Sequence, residues 1–273
     1  AVFVGSDDVF APSGVPLRLD GNGEWKDRVG TLPPGWEGAG LATSGKAAAV
    51  LVERSQAPSQ TGHTYLLVRP TADGLSYTPG TLQGRSGRAV SMRLSPDARL
   101  VAVKNDYRDL TIHETATGRM VWQATNLAGL WSIQDYGWVT SQRLVCLGVT
   151  HPRGAAGKEE RIVLLETPSG RQLHQASHPT AIDTLAILPG VQQFAEAGAD
   201  RRVRIRDATT LEVRREFRAH DGAITALAAH PTQPLLASAS ADLRIRIWNL
   251  SDGRMMEELP QSADAPQTLQ ISP

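Results

Sequence analysis

Cysteine, lysine and aromatic residues are all scarce in this 273-residue sequence, which has one Cys and 5% Phe, Trp and Tyr. The lone Cys146 excludes a disulfide within the chain and says nothing about compartment. Length compensates: a chain of this size buries about three quarters of the surface its unfolded form exposes, so it needs no staples. Neither sign of charge is in excess, with 28 Lys+Arg against 28 Asp+Glu. That balance argues against a nucleic-acid binder, which carries a basic surplus, and excludes an acidic solvating tail. The basic residues are mostly arginine, the lysines being only Lys26, Lys46, Lys104 and Lys158. No apolar run approaches the roughly 18 residues of a membrane span, so no membrane partner is expected. The chain opens at Ala1-Val2-Phe3 with neither Met nor a basic start. No signal peptide is read there, and a processed protein or a piece of a longer one is expected.

Strand signals dominate what is present. Val203-Arg204-Ile205-Arg206, Ile245-Arg246-Ile247-Trp248 and Leu110-Thr111-Ile112-His113 alternate apolar and polar residues. Period two marks half-buried strands, and no window carries a helical i, i+3, i+4, i+7 stripe. Turn signals such as Ser95-Pro96-Asp97, Pro168-Ser169-Gly170 and Ser251-Asp252-Gly253 punctuate the chain. The class is all-β.

The sequence also repeats itself. His178-Pro-Thr-Ala-Ile182 with Ala199-Asp200-Arg-Arg-Val203-Arg-Ile205-Arg206-Asp207 aligns without gaps on His220-Asp-Gly-Ala-Ile224 with Ala241-Asp242-Leu-Arg-Ile245-Arg-Ile247-Trp248-Asn249, at a constant offset of 42. Weaker copies extend backward, with third strands ending at Asp20, Pro70, Glu114, Glu166, Asp207 and Asn249. Two longer gaps hold hairpin insertions at Glu53–Gly62 and His151–Glu160. A fixed period of this length is the signature of a solenoid or propeller.

The copy from Ala219-His220 through Ser238 and Asp242 to Trp248-Asn249 resembles the WD40-repeat β-propeller family, in a divergent, bacterial-type form. It departs from the family's Gly-His and Trp-Asp with Ala219 and Asn249. The copy at 178–207 keeps His178 and Asp200 but has Glu196 and Arg206 at the Ser and Trp positions. The resemblance implies a β-propeller of four-stranded antiparallel blades, six in number with seven as the alternative. The blades would be 1–30 plus 262–273, then 35–83, 86–126, 129–177, 178–219 and 220–261, forming one domain. The tail Gln267–Pro273 resembles a first strand and Ala1–Asp8 a second, so pairing of the two chain ends would close the ring. By resemblance, His220, Ser238, Asp242 and Trp248 form a hydrogen-bonded set that holds a blade together, with His178 and Asp200 as counterparts.

Three constellations imitate chemistry. Ser238, His220 and Asp242 could pass for a hydrolase triad, but no Gly-x-Ser-x-Gly elbow surrounds the serine. Gly40–Lys46 matches Gly-x4-Gly-Lys, yet Ala47 stands where a Mg²⁺-binding hydroxyl belongs and Val50-Leu51-Val52 reads as strand rather than helix. The histidines are scattered, and His174 and His178, four apart, need not converge on extended chain, so no metal and no cofactor are expected. Arg202, Arg204 and Arg206 share one side of a strand among acidic neighbours, which reads as a solvated, ion-paired face.

What remains is a rigid ring presenting loops, and loops on a scaffold are where binding concentrates. The expected function is a non-catalytic scaffold or sensor domain for a protein partner, a monomeric ring or a domain tethered in a larger chain, with a cytoplasmic location favoured. Candidate contacts are Trp36 and Trp131 before first strands, and Tyr107, Arg108, Arg201 and Arg202 between second and third strands. The alternative is a propeller enzyme or small-ligand or sugar-binding protein with its site at the central channel, where the first strands offer only Asp135 and Asp183.

Overall fold

The computed structural model describes the first 90 residues by their strands (2–4, 8–10, 16–19, 25–27, 36–44, 47–54, 64–71, 74–81 and 89–90). Beyond these it describes 91–105, 109–124, 129–150, 157–259, 266 and 269–271. Within those residues no helix is long and apolar enough to cross a membrane. Strand β1 (Val2–Val4) precedes a short meander of β2 (Asp8–Phe10), β3 (Pro16–Leu19) and β4 (Trp25–Asp27). Five four-stranded antiparallel sheets follow in simple up-and-down order. They comprise β5 (Trp36–Ser44), β6 (Ala47–Arg54), β7 (Thr64–Thr71) and β8 (Gly74–Thr81), then β9 (Ala89–Leu94), β10 (Leu100–Asn105), β11 (Asp109–Glu114) and β12 (Met120–Ala124). The third holds β13 (Leu130–Thr140), β14 (Arg143–Thr150), β15 (Glu159–Glu166) and β16 (Gln172–His178). The fourth holds β17 (Ile182–Leu188), β18 (Gln193–Gly198), β19 (Arg202–Asp207) and β20 (Val213–Arg218). The fifth holds β21 (Ile224–Ala229), β22 (Leu235–Ser240), β23 (Ile245–Asn249) and β24 (Met255–Leu259), and β25 (Leu269–Ile271) ends the chain's strands.

The sheets stack through their first strands: β5 lies on β9, β9 on β13, β13 on β17, β17 on β21 and β21 on β25. Apolar clusters fill the spaces between consecutive sheets rather than the sheets themselves. Leu144 and Cys146 of β14 face back toward Ile112 and Leu110, while Val145 and Leu147 face forward toward Phe194 and Ile182. Successive side chains of one strand thus serve opposite interfaces, because a strand points them alternately to its two faces. A strand buried on both faces loses the alternation of a half-solvated sheet, as β14 does with seven of its eight residues buried. Each fully buried Leu or Phe adds about 1.5–3 kcal/mol, and all of it depends on the neighbouring sheet being in place. The outer strands β20 and β24 are by contrast largely exposed.

The chain ends do meet, in an unexpected sense. Val2–Val4 pairs with Leu269–Ile271, but in parallel register, whereas a second strand of a meander would run antiparallel. Leu269 and Ile271 join Ala226, Ala237 and Ile247 in an apolar cluster, so β25 occupies the first-strand position beyond β21.

Candidate functional site

Blade-internal polar ties come first, because they decide what the conspicuous side chains are free to do. In the sheet of β21–β24, His220 leads into the first strand, Ser238 lies on β22, and Trp248 on β23. His220 Nδ1 lies 3.0 Å from Asp242 Oδ2, and His220 Nε2 lies 2.7 Å from Ser238 Oγ. Trp248 Nε1 donates to the same oxygen at 2.8 Å. A neutral imidazole with its proton on Nδ1 satisfies all of these contacts: Nδ1 donates to Asp242, while Ser238 accepts from Trp248 and gives its own hydrogen to His220 Nε2. Burial, opposed by Asp242, holds the His220 pKa below the ordinary histidine value. Asp242 also accepts from Asp221 N at 3.0 Å and Arg244 N at 3.1 Å, which ties two loops together. Ser238 is wholly buried, so its hydroxyl faces no substrate.

Residues 211–249, which contain this set, match the family model described as WD domain, G-beta repeat. This stretch is a WD40 repeat. The match starts in the turn just before the outer strand β20 of one sheet and ends with β23 of the next, so the WD40 unit straddles two blades. The chain has a β-propeller fold. It is similar to a chain in the "Crystal Structure of Mitotic Checkpoint Complex", at 19% identity and a TM-score of 0.61, covering 85% of this chain and 67% of that one. Altogether 1507 chains of solved structures match, so the fold by itself selects no partner. No curated protein matches the sequence.

One repeat earlier the WD40 pattern has a different chemistry. His178, the last residue of β16, does not reach Asp200. That carboxylate is taken by Arg204 Nη2 at 2.5 Å and by Arg202 N at 3.2 Å. The reason is Glu196, which stands where Ser238 stands in the next repeat and brings a negative charge to His178. His178 Nε2 lies 3.4 Å from Glu196 Oε1, and Arg206 Nε, in the Trp248 position, lies 3.1 Å from the same oxygen. Arg206 Nη1 also donates to Leu211 O at 2.7 Å. Arg204 bonds Glu216 as well, at 2.6 Å. Arg204 and Arg206 are thus ion-paired but buried, which corrects the solvated face expected from alternation: the side they share lies against polar partners inside the blade.

The first-strand acid Asp135 is also committed. Asp135 Oδ1 meets Arg93 Nη2 of the preceding blade at 2.7 Å and accepts from Tyr136 N at 2.9 Å. Its Oδ2 accepts from Leu185 N of the following blade at 2.9 Å, so one carboxylate spans three blades. Trp138 Nε1 adds a bond to Arg93 O at 2.9 Å. Asp183 is exposed on β17, where partial burial raises its pKa. Near the far ends of the first strands opens a cavity of about 820 Å³, lined by Met92, Leu94, Trp138, Leu185, Ile187 and Leu269, with Arg93 among them.

The remaining candidates divide between loop, strand and undescribed chain. Arg201 is the exposed tip of the turn between β18 and β19, at φ +67°, held by Ala219 N and His220 N donating to its carbonyl at 2.9 and 3.3 Å. Leu243 has the same φ, +67°, one repeat later. Arg202 is exposed beside it and pairs with Glu216 at 2.7 Å. Trp36 begins β5 and Trp131 is the second residue of β13; their side chains, like Tyr107 and Arg108 altogether, lie outside the described residues. Gly40–Ser44 is strand, and Ala47 pairs with Ser44 as the first residue of the next strand, so a hairpin replaces the helix that a phosphate loop requires. His174 and His178 share β16, about 13 Å apart along an extended strand. Among the described residues no group of three His, Cys, Asp or Glu is placed to hold a metal.

Proposed function

We propose that this chain is a non-catalytic, WD40-type scaffold or sensor domain within a longer protein, docking a protein partner on the face that carries the turns between second and third strands. The observation that carries this reading is the burial of Ser238 and His220, whose bonds, with Asp242 at the rim, are spent on joining strands. Arg201 and Arg202, on that face, stand in solvent on a turn fixed by backbone bonds. Arginine on a rigid loop is a strong interface anchor, because little freedom is lost on binding. The similar solved chain belongs by its title to a complex, which agrees with partner binding in general.

The six-bladed ring is part of the same proposal: β25 and β1, with the meander β2–β4, would supply the wedge that follows β21–β24. The alternative of an enzyme or sugar-binding site at the channel would have to use the cavity beside Trp138. Most side chains that line it are apolar, and its guanidinium, Arg93, is already held by Asp135.

Capture with the immobilised chain tests the reading. Partners retained by the parent protein should be lost with Arg201→Glu plus Arg202→Glu, and weakened by Trp131→Ala. If every partner survives all three substitutions, the choice of face is wrong.

A further inference from the structure

His178 ends the last strand of one blade and lies against the second strand of the next, so it sits on a seam. Its Nδ1 is 2.7 Å from Thr180 O, a distance that requires a hydrogen on Nδ1 because a carbonyl can only accept. Its Nε2 faces Glu196 Oε1 at 3.4 Å, and a carboxylate too can only accept. A neutral ring with its proton on Nδ1 would point a lone pair at a carboxylate. Thr180 N and Thr180 Oγ1 also approach Nδ1, at 3.3 and 3.4 Å, but the carbonyl contact is far shorter; with hydrogen on both nitrogens, that is, as imidazolium, the ring suits the carbonyl and the carboxylate together. His220 differs at the same place, because Ser238 can donate to its Nε2 and a neutral ring suffices.

The seam also reaches the loop face. Thr180, which receives the Nδ1 hydrogen, is followed by Ala181, whose carbonyl accepts from Ala199 N at 3.0 Å. Ala181 O also lies so close to Gly198 that a Cβ there would come within 2.1 Å of it. Ala199 begins the turn that ends in Arg201 and Arg202. Segment 179–181 is therefore a strap, fastened at one end by His178 and at the other by the turn.

We infer that His178 is a proton-operated latch: doubly protonated, it clamps the strap between the blades, and loss of its proton frees the strap and the 199–202 turn. The groups facing it are Glu196 on β18, Arg206 and Arg204 on β19, Asp200 in the turn, and Glu160 on β15. Glu196, Asp200 and Glu160 favour the imidazolium, whereas the two arginines oppose it. Burial works against the charge, but Glu196 outweighs it, and the His178 pKa is held above the ordinary value. His178 Nε2, Glu196 Oε2 and Arg204 Nη1 are buried without hydrogen-bond partners, so His178 and Glu196 meet as charges at 3.4 Å and the attraction depends on the ring's proton. The sign follows from linkage. A raised folded pKa gives a closed strap below the free imidazole's value, about 6.5, and progressive loosening as pH rises through the higher value.

Side-chain NMR of the full chain, followed across pH, tests the latch on the unmodified protein. His178 should titrate above pH 6.5 while His220 titrates below it. Amide exchange at Ala199, corrected for its intrinsic pH dependence, should rise by up to about tenfold per pH unit inside the His178 window. It should stay flat at Ala241, the equivalent amide bonded to Ala223 O. Glu196→Gln should lower the His178 midpoint and remove most of the pH dependence at Ala199. A His178 midpoint at or below 6.5 overturns the latch. So does corrected exchange at Ala199 that is flat with pH, or that keeps its slope in Glu196→Gln.

Discussion

The sheets of β17–β20 and β21–β24 are built on one pattern, 42 residues apart, and solve the same burial problem with opposite electrostatics. The later blade fills its polar seam with neutral donors and acceptors: imidazole, hydroxyl and indole, with one carboxylate at the rim. The earlier blade fills it with ions: Glu196 where the hydroxyl would be, Arg206 where the indole would be, and His178 drawn to the carboxylate. A fully paired buried ion cluster can match a neutral network in stability, but it tolerates the loss of one partner far worse. The lesson is that the repeat keeps a requirement, a compensated polar seam between buried strands, rather than a fixed set of residues.

The largest expected effect comes from breaking the ionic blade. Glu196→Ala should cost about 3–5 kcal/mol in urea unfolding, because Arg206 and Arg204 are left buried with one carboxylate fewer. The matching break in the neutral blade, Ser238→Ala, should cost about 1–3 kcal/mol by stranding His220 Nε2 and the Trp248 N–H. A swap tests the comparison directly: Glu196→Ser with Arg206→Trp should cost clearly less than the two single changes added together, as coupled neighbours do. A fully additive double mutant would mean that the two seams are not interchangeable solutions. The acid limb of stability should report His220, whose depressed pKa favours the neutral ring in the fold. Its contribution is full above about pH 6.5 and is lost as pH falls through the folded value, visible in melts of the parent but absent in His220→Asn. The smallest effect belongs to the exposed pair, since Arg202→Glu should shift stability by no more than about 0.5 kcal/mol while affecting capture of a partner.

Much of this was legible in the chain because repetition multiplies weak signals. Alternation in Val203–Arg206 and Ile245–Trp248, the common offset, and the turn residues between them point to stacked four-stranded sheets. The neutral set followed from resemblance at four positions. Its ionic counterpart was visible only as two departures, Glu196 and Arg206, and it is their opposite signs at neighbouring positions that mark a compensated exchange. Burial of Arg204 and Arg206 was not legible, because period two tells which side of a strand a residue takes and not whether that side meets water. Asp135 escaped for a different reason. Its partners Arg93 and Leu185 are 42 and 50 residues away, and the link between them exists only once three blades are stacked.

The offset between the recurring sequence unit and the sheet has a consequence for how such a chain can change in length. Residues 211–249 begin with the border strand of one sheet and stop one strand short of completing the next. Duplicating or deleting such a segment still hands each sheet four strands, since every inserted copy finishes the sheet before it and leaves the same opening for the copy behind it. Copy number can therefore change in whole steps, with every sheet keeping its four strands.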